Sequence, residues 1–195
     1  MYERGDIMKK TLQLLSLLYI IFMAVLFVYY FPKGVSHSYQ VALGGILCGL
    51  ILLILVRYSK MNIPNALGYS VLAFLFASQY LGSIAGWYSL GWWDTFLHFL
   101  SGILLAYVGL AIMERFLSKN KQMQSLSGLV FFFVLSFAVL GGVIWEMYEF
   151  SADQLFQLTL QGGGNIDTMG DLIADFCGGL LIAVVSALNI KTRIK

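Results

Sequence analysis

Apolar runs, each about 20 residues long and separated by short polar breaks, recur six times: roughly 11–31, 39–57, 63–84, 92–113, 125–150 and 170–189. A bilayer core of about 30 Å is crossed by about 20 helical residues, so the pattern predicts six transmembrane helices. Arg57, Ser59 and Lys60 close the second run, and Asn62 with Pro64 supplies a cap and a first-turn proline for the third. The first run follows Lys9 and Lys10 and continues from Leu12 to Phe31 with no small-residue cleavage pattern, as expected of a retained helix rather than a signal peptide. No linker or low-complexity tract interrupts the series. The expected fold is all-α, an integral membrane bundle forming one transmembrane domain over 1–195, with its chemistry concentrated in 92–189.

Composition strengthens this reading. Hydrophobic residues make up 59% of the chain and charged ones only 11%, with a mean hydropathy of +0.82; a soluble domain could not cover so much apolar surface. Charge then sets orientation. Arg4, Lys9, Lys10, Arg57, Lys60, Arg115, Lys119, Lys121, Lys191, Arg193 and Lys195 fall at one set of helix ends and Lys33 alone at the other. Basic loops stay in the cytoplasm, which puts both termini there. The opposite loops are aromatic and acidic: Trp87, Tyr88, Trp92 and Trp93 form an interfacial belt, and 161–165 is a glycine-rich turn. The net charge of +2 reflects this asymmetry and does not point to nucleic acid. Membrane lipids are the implied surroundings. Cys48 and Cys177 lie within apolar runs and read as small core residues, not as a disulfide or metal motif.

Seven of the ten acidic residues, Asp94, Glu146, Glu149, Asp153, Asp167, Asp171 and Asp175, sit with His98 in three segments at the predicted outer helix ends. Residues four apart stack on one helical face, which pairs Asp94 with His98 and aligns Asp167, Asp171 and Asp175. Glu146, Glu149 and Asp153 follow at i, i+3 and i+7, also on one face. The head of helix four, Asp94 to Gly102, echoes that of helix six, Asp171 to Gly179, in acid, ligand-type residue, Phe and Gly. Simpler explanations exist for some of these acids. Asp94 and Asp171 would serve as helix caps, and Asp153 and Asp167 as solvated loop acids.

Capping does not explain the rest. Glu146 and Glu149 lie near the negative end of a helix running outward, and His98 and Asp175 lie a turn inside apolar sequence, where charge is costly. Lys33 is the sole basic residue on that side, so the counter-charge is a proton or a metal ion. Protonated acids hydrogen-bonded to one another are the bland alternative. Carboxylates and an imidazole at these spacings on several helices are how bundles build divalent and di-metal centres, so all eight residues are candidate ligands. The oxygen-rich set suits Mg, Mn, Ca or Zn without choosing among them. Gln79, Tyr80 and Ser83 near the end of helix three are candidate supporting groups, or plain polar packing.

Trp92-Trp93-Asp94 with His98-Phe99 and Gly102, Trp145-Glu146 with Glu149 and Asp153, and Asp167-Thr168 with Asp171, Asp175 and Gly178 resemble the uncharacterised bacterial inner-membrane family of YjdF type. The resemblance runs from Trp92 to about Val185 and implies a multi-pass plasma-membrane protein without an established activity. A weaker likeness is to VanZ-like membrane proteins, in which an Asn stands where this chain has Asp175. The leading functional expectation is a divalent-cation site that acts on a lipid-like or phosphorylated substrate, with Glu146 or Glu149 as the catalytic base. The rivals are a cation or proton transporter and a non-catalytic membrane partner. The apolar inner halves of helices four and six, Ile103–Met113 and Leu180–Leu188, disfavour a path through the membrane.

Overall fold

The computed structural model describes residues 2–58, 64–117, 127–156, 160–162 and 164–193. Ser59, Lys60 and Asn62, assigned above to the break before helix three, lie outside them, as do Lys119, Lys121 and Lys195. The described residues form α1 (Tyr2–Tyr30), α2 (Ser36–Tyr58), α3 (Asn65–Leu75), α4 (Trp93–Leu117), α5 (Ser127–Phe156) and α6 (Asn165–Arg193). A π-helical continuation of α3 runs through Phe76–Ile84. Six segments are long and apolar enough to cross a membrane: Ile7–Tyr30, Ser36–Tyr58, Asn65–Ile84, Trp93–Arg115, Ser127–Leu155 and Asn165–Asn189. Each matches one predicted run. Large apolar side chains such as Val28, Ile51, Phe132 and Leu155 are exposed, as lipid-facing positions require. Pro64 differs from expectation: it precedes the first helical residue of α3 and its carbonyl accepts from the Leu67 amide at 2.9 Å.

The chain forms two compact units, Met1–Trp93 and Asp94–Lys195. In the first, α2 presents a buried stripe of Ala42, Gly45, Gly49 and Leu52. A Cβ on Gly45 or Gly49 would collide with Met23 and Gln79 or with Ile20 and Tyr19, so the missing side chains let the helices close up. Tyr19 donates its hydroxyl to Gln79 Oε1 at 2.7 Å, and Ser83 donates to the Ser78 carbonyl at 3.3 Å. These bonds give Gln79 and Ser83 packing roles within this unit. Gly86 and Gly91 take positive φ at either end of a short 3-10 turn, Trp87–Leu90, a conformation that costs a residue with a Cβ.

The second unit holds α4, α5 and α6. A Cβ on Gly102 would land on the Asp175 carbonyl and one on Gly178 on the Phe99 carbonyl, so α4 and α6 approach backbone to backbone. Gly179 faces the Ala138 methyl on α5, and Gly141 faces Leu105 on α4. An apolar core of Ala106, Met113, Val130, Val134, Ala138, Ile182 and Ala183 fills one half of the unit. The nearest of these residues are about two turns along their helices from His98, Glu146 and Asp175. Dry packing therefore occupies one end and the acids the other.

Candidate metal centre

Asp94 is the second residue of α4, and His98 follows one turn deeper. Because α4 and α6 touch at Gly102 and Gly178, His98 lies directly against α6. Its Nδ1 is 2.9 Å from Asp175 Oδ2, and the other Asp175 oxygen accepts from the Ser101 hydroxyl. Asp175 is only 1% exposed. An ionised carboxylate only accepts, so the imidazole carries a proton on Nδ1, and in its neutral form Nε2 is a lone pair free to bind a cation. Nε2 faces two carboxylates: Asp94 Oδ1 at 3.9 Å and Glu146 Oε1 at 3.8 Å. Both separations exceed a hydrogen bond.

Burial makes the arrangement costly. Glu146 is 5% exposed and both its oxygens lack a hydrogen-bond partner; Asp171 is 2% exposed and its Oδ1 lacks one too. Thr95 supplies a hydrogen bond to the Asp171 carboxylate. Glu149, also buried, accepts from the Trp145 indole at 2.8 Å, while Asp94 keeps 30% of its side chain exposed and forms the open edge. The ion pairs found among the described residues of this cluster all run to His98. Asp94, His98 and Asp171 each offer one ligand atom within 4.8 Å of the others, a group that could hold a metal ion. Ligand bonds of about 2.0–2.2 Å put donors on one ion roughly 3–4 Å apart, the spacing seen around Nε2.

The eight residues singled out in the sequence therefore divide by role. Three of them, Asp94, His98 and Asp171, converge on one point, with Glu146 at its edge, Glu149 electrostatically coupled to Glu146, Asp94 and His98, and Asp175 paired with the far side of His98. Asp171 is not a cap, because α6 begins at Asn165 and buries it in the second turn. Asp175 orients His98 instead of facing the open lone pair, the carboxylate–imidazole pairing that fixes a ligand's tautomer in metal sites. Asp153 is occupied elsewhere: its two oxygens accept from the Leu160 and Gln161 amides at 2.7 and 3.0 Å, anchoring the turn before α6. Asp167 is half-buried in the first turn of α6 and acts electrostatically on Asp94 and Asp171.

Gly142 has a role that side-chain chemistry alone does not reveal. A Cβ there would lie 2.5 Å from Asp175 Oδ2, the oxygen that holds His98. Gly142→Ala gains about 1 kcal/mol of intrinsic helix propensity yet displaces that carboxylate. It is expected to weaken divalent-ion binding by about 10–100-fold, as loss of an orienting partner does, with circular dichroism unchanged. An ion titration of the purified variant checks this.

Comparison with known proteins agrees with the membrane architecture. The family described as "Predicted membrane protein (DUF2238)" matches residues 14–192. A Thermotoga maritima protein described as "Uncharacterized protein" is 26% identical over 130 residues, a match covering 66% of this chain and 66% of that relative's length. No solved structure matches. The VanZ-like likeness rests on the motif residues alone. Matched along nearly all its length, the chain belongs to the DUF2238 family of predicted membrane proteins, the YjdF-type family that its Trp92-to-Val185 motifs resemble.

Proposed function

We propose that this protein binds a divalent cation between Asp94, His98 and Asp171 and uses it on a phosphorylated amphiphile at the outer surface of a bacterial plasma membrane. The observation that carries the reading is the set of buried unpartnered oxygens on Glu146 and Asp171, beside a His98 Nε2 that faces the Asp94 and Glu146 carboxylates beyond hydrogen-bond distance. A positive species offsets the cost of burying these groups, and a cation satisfies several of them at once. The biased distribution of Lys and Arg supports an outward-facing cluster and cytoplasmic termini. At that level the half-open Asp94 edge meets lipid headgroups, which is what favours an amphiphilic substrate.

A divalent ion held there would polarise a phosphoryl oxygen or lower the pKa of a bound water. In the hydrolysis, water oxygen bonds to phosphorus and the phosphorus–oxygen bond to the lipid breaks. Glu146 or Glu149 takes the water proton and returns it to the departing oxygen. Transport is less well supported, because the packed core about two turns below the acids, with Ala106, Val134 and Ile182, is apolar. The test is phosphate release from a phosphorylated lipid in detergent by ion-stripped protein, with and without added Mn2+, Mg2+ or Zn2+. Release that returns with an ion and falls by about 10²-fold or more in Asp171→Asn is the expected result. Release indifferent to ion and variant would overturn the catalytic reading.

A further inference from the structure

The single-ion site leaves part of the cluster unexplained. Asp94, His98 and Asp171 converge on one point, yet Glu146 sits at its edge on α5 with both carboxylate oxygens buried and unpartnered. One of them, Oε1, is the atom 3.8 Å from His98 Nε2. Glu149 follows one turn along the same face of α5, buried, and acts electrostatically on Glu146, Asp94 and His98. Trp145 holds one Glu149 oxygen and so fixes where that carboxylate points.

We propose that the cluster holds two divalent cations: one among Asp94, His98 and Asp171, the other beside Glu149, with Glu146 bridging them through its two free oxygens. The proposal rests on the cation-binding reading above and extends it. Charge favours it. With His98 neutral and Asp94, Glu146, Glu149, Asp171 and Asp175 all ionised, as ligands are, one divalent ion leaves the group three charges negative and two leave it one charge negative. In a membrane interior the smaller residual is much less costly. Geometry favours it as well, because paired ions sit about 3.5–4 Å apart, a span that a carboxylate bridges with one oxygen on each. Helix bundles that carry such pairs take a Glu from one helix and a carboxylate or His from its neighbours, as α4, α5 and α6 do here. A pair would bind both the attacking and the leaving oxygen of a phosphoester, which suits the same substrate class.

The experiment is a Mn2+ titration of ion-stripped, detergent-purified full-length protein, counting bound ion by electron paramagnetic resonance. The expected result is about two ions per chain with an exchange-coupled spectrum, falling to about one uncoupled ion in Glu149→Gln. Circular dichroism of that variant, matching wild type, excludes misfolding as the cause. One uncoupled ion in the wild type would overturn the pair and leave the single-ion reading standing. No bound ion would overturn both.

Discussion

Glu146→Gln is expected to stabilise the ion-free protein while weakening its response to divalent ions. In the wild type a buried carboxylate has two oxygens without a partner, an arrangement that costs more than a neutral amide in the same place. Removing that charge should raise the unfolding free energy in chelator by about 1–3 kcal/mol. Added at about 100 times its dissociation constant, an ion should stabilise the wild type by about 2.7 kcal/mol and the variant by far less. Denaturation in detergent, with chelator and then with Mn2+, reads both effects. Opposite signs for the two conditions would distinguish a binding residue from a structural one. If Glu146→Gln lost stability in chelator, the carboxylate would have to be satisfied within the protein, and the need for a cation would vanish.

The second large effect is expected at Asp175. Its two oxygens hold His98 and Ser101 in a buried setting. Asp175→Ala strands both partners and opens a gap where α4 and α6 are in backbone contact, so a loss of about 3–5 kcal/mol is expected. Asp175→Asn keeps the shape and restores part of that stability. Both variants should weaken ion binding by at least about 10–100-fold, since neither holds the imidazole proton on Nδ1 as a carboxylate does. Comparing unfolding with ion affinity in the two variants separates the packing role from the orienting one. An Asn variant that binds ions like the wild type would show that His98 needs no fixed tautomer.

The helices were readable because lipid allows so few alternatives. A segment that crosses hydrocarbon must satisfy its own backbone and show apolar side chains outward, and the sequence announces both through length alone. The start of α6 was less readable: Asp167 and Asp171 make the stretch polar, and the helix begins at Asn165, ahead of the apolar run. The π-helical stretch Phe76–Ile84 carried no signal either, since its apolar composition suits an ordinary helix equally well. For the site, acids near and inside apolar runs are conspicuous, and helical spacing places seven of them and His98 on shared helix faces. Their division of labour was hidden. Whether Asp175 orients or ligates depends on how closely α4 and α6 approach, which Gly102 and Gly178 decide through atoms they lack, and on the room that Gly142 of α5 leaves for its carboxylate. Asp153 looked like a member of the Glu146 face, and only the path of the turn before α6 shows its oxygens taken by backbone amides.

The most direct test of the central claim is elemental analysis of detergent-purified protein, wild type beside His98→Ala and Asp171→Asn. The account predicts a divalent metal in the wild type at no less than about one ion per chain, removed by chelator and absent from both variants. A wild type free of metal, whose melting is unmoved by chelator or by added divalent ions, would contradict it.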